Sequence, residues 1–128
     1  MLFDVQDGIG FTWGRIPIGP SDYAVNRYTL SSAPGQFDIS RDEQYLIPYI
    51  QAAQKIEGDI EFWASPWTPP PWAKSGPTES DGYDKGYFNT QYYEQYAQFF
   101  VDRNQANEAR GISIDHVHPQ GDGATLFT

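Results

Sequence analysis

Phe62–Lys74 reads FWASPWTPPPWAK, and this stretch decides the fold of the chain. It begins as a strand but holds three tryptophans and four prolines. Because a proline ring removes a backbone donor from a sheet, the strand should end near Ser65. The remainder predicts an ordered loop that displays indole rings, and such rings suit ligands such as sugars.

Three predicted strands alternate with two predicted helices along the rest of the chain. The strands are predicted at residues 10–18, 59–64 and 112–118. The helices are predicted at residues 40–58 and 89–110, and exposed loops at residues 24–36 and 75–88. Short links from each helix to the next strand favour parallel βαβ units with right-handed crossovers. The order therefore predicts an α/β domain.

The ends of the two helices carry specific signals. Ser40 and Glu43 fit a capping box at the start of the first helix. Further along, Pro48 requires either that this helix kinks or that it ends and a second helix begins with Pro48 in its first turn. Asn89 is predicted to cap the second helix, and Gly111 to close it.

Polar and aromatic residues collect at the carboxyl ends of the predicted strands. Open parallel sheets and α/β barrels both bind ligands at that edge. An open nucleotide-binding sheet needs a glycine-rich phosphate turn between strand and helix. Gly8 and Gly10 stand instead at or before the start of the first strand, and no such turn follows it. A barrel is therefore favoured.

Composition excludes several classes of partner and site. The 128 residues suffice for one ordinary domain, and the formal net charge of −9 makes nucleic acid and anionic membranes poor partners. The sequence has no cysteine, so it forms neither a disulfide nor a thiolate zinc site. Its first residues have no apolar run long enough for a signal peptide or an integral membrane segment.

Arg15, Asp22 and Trp67 are the candidate binding residues. Arg15 lies in an apolar strand and needs a carboxylate partner, either in a structural ion pair or at a site inside a barrel. Asp22 follows the first strand and either accepts hydrogen bonds from sugar hydroxyls or caps a local turn. Trp67 is predicted to stack on a sugar ring, whereas Trp63 and Trp72 are predicted to pack.

Neither a metal nor another cofactor is predicted. His116 and His118 stand two residues apart on one strand, like half of a metal site, but no third ligand is apparent nearby. Asp122 follows the third predicted strand, where a barrel places catalytic groups. By position alone it is one carboxylate among 17 acidic residues.

Taken together, these segments resemble glycoside hydrolase family 30, the group that includes glucosylceramidases and endo-β-1,6-glucanases. The matching segments, in family order, are GRIPIGPSDYA, FDISRDEQYLIPYIQAA, FWASPWTPPPWAK, YYEQYAQFFV and GISIDHVHPQ. They extend over nearly the whole chain from Gly14 to Gln120. SPWTPPPWAK is close to diagnostic for the family, whereas the other segments would be weak alone.

The resemblance implies a partial (β/α)8 TIM barrel with about three of its eight βα units. It also implies hydrolysis of β-glucosidic bonds, in glucosylceramide or β-1,6-glucan, with retention through two carboxylates about 5 Å apart. The partner would be a carbohydrate or glycolipid, in a secreted or extracellular setting. Arg15 falls where the family has an arginine oriented on the nucleophile, and Asp22 and Trp67 fall where family members contact the first sugar.

The family pattern changes at the end of the sequence. Family members carry their acid/base glutamate in an Asn-Glu-Pro triplet, and this chain has Gly121-Asp122-Gly123 there. Asp122 thus occupies the acid/base position in a tail, residues 121–128, that is atypical of the family. The family's nucleophile lies on a later strand, so we expect residues 1–128 to be a partial catalytic domain without activity. The alternative is a non-catalytic glycan-binding or degenerate interaction protein.

Overall fold

The structure is a computed structural model that describes residues 2–21, 23–78 and 85–119. In chain order its elements are β1 (Trp13–Ile18), α1 (Ser40–Gln44), α2 (Leu46–Ile56), β2 (Glu61–Pro66), β3 (Lys74–Thr78), β4 (Lys85–Phe88), α3 (Tyr93–Glu108) and β5 (His116–Val117). Short 3-10 turns at Pro71–Ala73 and Thr90–Tyr92 precede β3 and α3. The chain is therefore an α/β protein, as predicted.

The main sheet has three parallel strands in the order β1-β2-β5. Trp13 pairs with Glu61 at one end of the β1–β2 ladder and Ile18 pairs with Pro66 at the other. A proline thus occupies the last position of β2, in agreement with the strand end predicted near Ser65. The parallel arrangement expected from the alternation of strands and helices is confirmed.

Both long helices pack against the same face of this sheet. The hydrophobic cluster combines buried sheet residues such as Ile16 and Phe62 with Ile50 of α2 and Phe99 of α3. Side chains on the opposite face are covered by no helix, and Trp13 among them is exposed. A doubly wound sheet has helices on both faces, so this one-sided packing is the arrangement that a segment of a barrel would have.

The first predicted helix is divided in two. Tyr45, with φ −137° and ψ −53°, separates α1 from α2. Pro48 lies in the first turn of α2, where backbone N–H groups have no acceptor within the helix and the missing N–H of proline costs nothing. Of the two alternatives, a kink or a second helix start, the second is therefore correct. The predicted capping box is wrong, because the Oδ1 of Asp38 accepts the hydrogen bond from the Ser40 N–H at 2.8 Å.

The predicted loop at residues 75–88 is wrong, since β3 and β4 form an antiparallel hairpin there. Its glycine-rich, polar sequence gives no strand signal. Phe88 anchors the hairpin, with its ring centroid 5.3 Å from that of Tyr93 and 5.0 Å from that of Tyr96. Gly76 has φ +84°, which favours glycine at this position of β3.

The third strand is shorter than the predicted segment 112–118. Within this segment, only the two residues of β5 pair regularly with β2. The ladder stops before them because the side chain of Asp115, and not a backbone carbonyl, accepts a hydrogen bond from β2. Its Oδ2 accepts a hydrogen bond from the Phe62 N–H at 2.8 Å, while its own N–H donates to the Phe62 carbonyl at 2.9 Å. Beyond the carboxyl end of β5, the His118 N–H also donates to β2, to the Ala64 carbonyl at 2.8 Å.

We predict that Gly14→Ala destabilises the sheet. A Cβ at Gly14 would lie 3.0 Å from Cε1 and 3.1 Å from Cδ1 of the buried Phe62 ring. Such overpacking costs about 1–3 kcal/mol in the free energy of unfolding, to be measured by urea denaturation. In a Phe62→Leu background the same substitution should cost less, because the shorter side chain leaves room. An equal cost in both backgrounds would contradict the assigned contact.

Candidate functional site

The carboxyl ends of β1, β2 and β5 meet at one edge of the parallel sheet. The chain leaves β1 through Gly19, whose φ is +74°, and leaves β2 directly into the proline-rich loop. After β5, the carbonyl of Pro119 accepts a hydrogen bond from the Tyr96 hydroxyl at 3.3 Å, which ties this end to α3. The structure thus brings the predicted binding loops to the same edge.

The proline-rich loop is ordered by its own contacts. The indole N–H of Trp72 donates to the carbonyl and the hydroxyl of Ser31, at 3.2 and 3.1 Å. Its ring meets that of Tyr92 edge-on with centroids 5.6 Å apart, so the predicted packing role of Trp72 is confirmed. Trp67 is half-buried and immediately follows β2, at the binding edge.

Arg15 lies on the face of the sheet that has no helices. Its Nη2 donates to the Ser65 hydroxyl at 3.2 Å, and its guanidinium carbon lies 5.1 Å from the centre of the Trp63 ring. Arg15 is exposed, and neither of these two contacts provides the carboxylate partner that the sequence predicted. Trp63 is half-buried and packs against Arg15 and the His118 ring, so its predicted packing role is confirmed. It is not part of the core, however, because it stands on the face that the helices leave uncovered.

Two further aromatic contacts organise this face. The indole N–H of Trp13 donates to Oε2 of Glu61 at 2.9 Å, and its ring meets that of His116 edge-on at 6.3 Å between centroids. The Trp63 and His118 rings meet in the same way at 6.4 Å. Sequence reasoning found the two histidines but did not connect them with tryptophans, since those pairs form between strands.

Asp22 and Asp122 lie outside the described residues. Beside the first of these positions, the Ser21 hydroxyl accepts a hydrogen bond from the Tyr23 N–H at 3.3 Å. Their proposed roles in sugar contact and acid/base catalysis therefore stay predictions.

A pocket of about 530 Å³ opens next to the end of β1. Its lining includes Pro17, Ser21, Tyr28, Arg41, Asp42 and Tyr45. The Arg41 guanidinium lies over two aromatic rings, 5.2 Å from the centre of Tyr28 and 4.8 Å from that of Tyr45. No pattern in the sequence predicts this pocket, because its walls come from a loop and two helices that meet only in the fold.

Asp42, which lines this pocket, and Arg103 form a buried pair of charges. Asp42 is 2 % exposed and Arg103 is 0 % exposed. The Tyr28 hydroxyl donates to Oδ1 of Asp42 at 3.2 Å, whereas Oδ2 and the three guanidinium nitrogens of Arg103 have no hydrogen-bond partner among the described residues. Burial raises the pKa of Asp42, and it lowers the pKa of Arg103 to about 10. Helical spacing places Arg103 on the buried face of α3, but nothing in the sequence points to Asp42.

We predict that Asp42→Asn gains stability relative to the unsubstituted chain as the pH rises. The pKa of Asp42 is raised above 3.8, so the folded chain keeps a proton at pH values where the unfolded chain has released it. The free energy of unfolding then falls as the pH rises through this window, and the asparagine removes that loss. Urea denaturation of both proteins from about pH 4 to about pH 7 measures the difference. A relative loss of stability in the variant would show instead that attraction by Arg103 outweighs burial.

Among the described residues, His116 and His118 belong to no larger ligand cluster. Within residues 2–21, 23–78 and 85–119, no group of three or more histidine, aspartate or glutamate side chains could hold a metal ion. In the same part of the chain, no helix is both long and apolar enough to cross a membrane.

Comparison with known proteins gives consistent matches. The family model described as "Glycosyl hydrolase family 30 TIM-barrel domain" matches residues 2–125. The chain is 33% identical to "Putative glucosylceramidase 4" of Caenorhabditis elegans over 94% of its length, and 31% identical to "Lysosomal acid glucosylceramidase" of Mus musculus over 95%. Each match covers 25% of the relative, so the chain spans about a quarter of the length of these proteins.

A solved endo-beta1,6-glucanase has the same fold over this region. It superposes with a TM-score of 0.81 at 34% sequence identity, and the match covers 98% of this chain and 31% of that chain.

Proposed function

Because the chain belongs to glycoside hydrolase family 30, we propose that it is a part of a retaining β-glycosidase that holds the sugar at the edge of its sheet. Residues 1–128 would be a partial catalytic domain of about three βα units of a (β/α)8 barrel, and residues 121–128 an atypical tail. Support comes from the helices on one face of a parallel sheet, the arrangement expected of a barrel segment.

The observation that carries this proposal is the position of Trp67. It follows β2 directly, and the neighbouring loop is held in place by the hydrogen bonds of Trp72 to Ser31. A half-buried indole on an ordered loop provides a surface for the C–H face of a sugar ring at little entropic cost. The relatives' names include glucosylceramidase and endo-beta1,6-glucanase, which support a β-glucoside in a glycolipid or a β-1,6-glucan as substrate.

Four residues have proposed roles. Trp67 would stack on the first sugar and Asp22 would accept hydrogen bonds from its hydroxyls. Arg15 would orient the nucleophile, as Ser65 and Trp63 hold its guanidinium toward the open face of the sheet. Asp122 would stand at the acid/base position, one C–C bond of about 1.5 Å shorter than the family's glutamate. A shortfall of about 1 Å can lower a rate by about two orders of magnitude.

We predict that Trp67→Ala weakens the binding of a β-1,6-linked gluco-oligosaccharide by about two- to tenfold. Loss of a stacking surface removes about 0.5–1.5 kcal/mol, and about 1.4 kcal/mol corresponds to a factor of ten. Isothermal titration of the chain measures this. Trp13→Ala is the matched control, because Trp13 is also a tryptophan but begins β1 at the opposite end of the sheet. Equal losses in both variants, or none in either, would refute the assigned role of Trp67.

A non-catalytic glycan-binding protein is the second candidate function. It is favoured by Gly121-Asp122-Gly123, which replaces the Asn-Glu-Pro triplet of the family. Sugar binding that depends on Trp67, without hydrolysis in a chain that contains the family's later strands, would support this candidate. Hydrolysis by such a longer chain would exclude it.

A further inference from the structure

We propose that Ser31 is a positioning residue: through Trp72 it holds the proline-rich loop, residues 67–73, in the form in which the Trp67 ring stacks on a sugar. This rests on the proposed function, because it assumes that Trp67 contacts the sugar. Ser31 itself lies in the connection between β1 and α1, in a different part of the chain from the loop that it holds.

Trp67 lies between two buried points of the chain. Pro66 and Pro69 are both less than 2 % exposed, whereas Trp67 and the residue after it are half-buried. Pro66 is held by the β1–β2 ladder, where it pairs with Ile18. Beyond Trp67 this ladder has ended, so the second fixed point has to come from other contacts. The orientation of the Trp67 ring therefore depends on what holds the second half of the loop.

The second half of the loop is stiff. Residues 69–71 are three successive prolines, and each proline ring fixes its own φ angle. Pro70 has φ −53° and ψ 147°, close to the polyproline II helix. Together with Leu30, which is 1 % exposed, Pro69 and Pro70 line a cavity of only about 10 Å³. A displacement at the end of the loop is therefore passed along the three prolines toward Trp67.

Trp72 and Ser31 fix the end of the loop. The single indole N–H of Trp72 is shared between two acceptors of one residue, the carbonyl of Ser31 at 3.2 Å and its hydroxyl at 3.1 Å. Two acceptors restrict the direction of the N–H more than one would, so they set the orientation of the indole ring. The Ala73 N–H donates back to the Pro70 carbonyl at 2.9 Å, and this 3-10 turn joins Trp72 to the prolines.

Ser31 is held by bonds within its own connection. It is 3 % exposed, and its hydroxyl donates to the Ala33 carbonyl at 3.0 Å, which leaves the hydroxyl oxygen free to accept from Trp72. Its N–H donates to the Thr29 hydroxyl at 3.1 Å, and that hydroxyl donates to the Ser31 carbonyl at 2.8 Å. Both acceptors of the Trp72 N–H are therefore fixed independently of Trp72.

The test is a double-variant comparison, with the affinity of the 128-residue chain for a β-1,6-linked gluco-oligosaccharide measured by isothermal titration. Trp72→Phe removes the N–H but keeps a ring beside Tyr92. It should weaken binding by about two- to fivefold, and by no more than Trp67→Ala does. Ser31→Ala keeps the carbonyl, so its loss should be smaller. In a Trp67→Ala background neither substitution should weaken binding further, because the stacking that it supports is already lost.

Ser32→Ala is the matched control. It makes the same change at the next residue, whose exposed hydroxyl donates to Oε1 of Gln36 at 3.0 Å, and it should leave the affinity unchanged. Without sugar, the indole N–H signal of Trp67 in a ¹H–¹⁵N spectrum should shift in Ser31→Ala and stay in place in Ser32→Ala. Urea denaturation identifies the variants that are folded under these conditions, and Ser31→Ala still provides both measurements if Trp72→Phe does not fold.

The outcomes separate this inference from the proposed function. Binding that is lost in Trp67→Ala but unchanged in Ser31→Ala and Trp72→Phe overturns the positioning role and leaves the proposed function intact. Equal losses with and without the Trp67 ring also overturn it, because Ser31 and Trp72 would then support only the fold as a whole. A Trp67 signal that Ser31→Ala does not move counts against it as well. If the unsubstituted chain binds no sugar, both proposals fail.

Discussion

No measurable hydrolysis of an aryl β-glucoside is expected from the 128-residue chain. Retaining hydrolysis requires two carboxylates about 5 Å apart, one to protonate the leaving oxygen and one to attack the anomeric carbon. In the proposed function Asp122 would stand at the acid/base position, and the resemblance to the family implies that the nucleophile belongs to a later strand than those of residues 1–128. Because enzymes accelerate reactions by about 10⁶-fold or more, loss of the covalent step should leave a rate close to that without protein.

Release of the aryl alcohol, followed by absorbance, measures this expectation. The solved endo-beta1,6-glucanase relative, assayed on a β-1,6-glucan, is the positive control for an intact domain. Replacing Gly121-Asp122-Gly123 by Asn-Glu-Pro restores the family triplet. Under the proposed function it should not restore turnover, because the second carboxylate would still be missing. A measurable rate that Asp122→Asn abolishes would contradict this explanation.

Arg103→Ala is expected to lower the free energy of unfolding by about 3–5 kcal/mol. Arg103 is 0 % exposed on α3, and its removal leaves both a cavity and a buried Asp42 with only the weaker attraction of Arg41. The buried guanidinium is poorly solvated, and this burial lowers the pKa of Arg103 to about 10. Most of the stabilisation should therefore come from the volume of the side chain.

Arg103→Met separates volume from charge. Methionine fills much of the same space without a buried cation, so urea denaturation should show a much smaller loss than for Arg103→Ala. Combining Arg103→Met with Asp42→Asn should recover further stability, because the remaining buried charge is removed as well. An Arg103→Met variant as unstable as Arg103→Ala would mean that attraction between the charges, and not packing, holds this cluster together.

The elements with strong local signals were predictable from the sequence. Pro66 ends β2 because proline lacks a backbone donor, Asn89 caps the turn before α3 by accepting from the Gln91 N–H, and Gly111 closes that helix with φ +76°. Alternation of strands and helices also predicted parallel pairing. These features depend on the residues within one or two turns of each position, so the sequence contains them directly.

Features that depend on distant partners were not predictable. The β3–β4 hairpin has a polar, glycine-rich sequence and is anchored by Phe88 against α3. Asp115 shortens β5 through a side-chain bond to the backbone of β2, which no pattern within residues 112–118 reveals. Side chains along β2 point alternately to the two faces of the sheet, and Trp63 points to the face without helices. Only the position of the helices shows which of the two faces is the core.

Sugar contact at Trp67 is tested most directly by the indole N–H signals of the four tryptophans in a ¹H–¹⁵N spectrum. Titration with a β-1,6-linked gluco-oligosaccharide should shift the Trp67 signal most. The Trp72 signal should stay in place because its N–H is bonded to Ser31, and the Trp13 signal should stay because its N–H is bonded to Glu61. Binding that leaves the Trp67 signal unchanged, or no change at any of the four signals at saturating sugar, would contradict a sugar site at the end of β2.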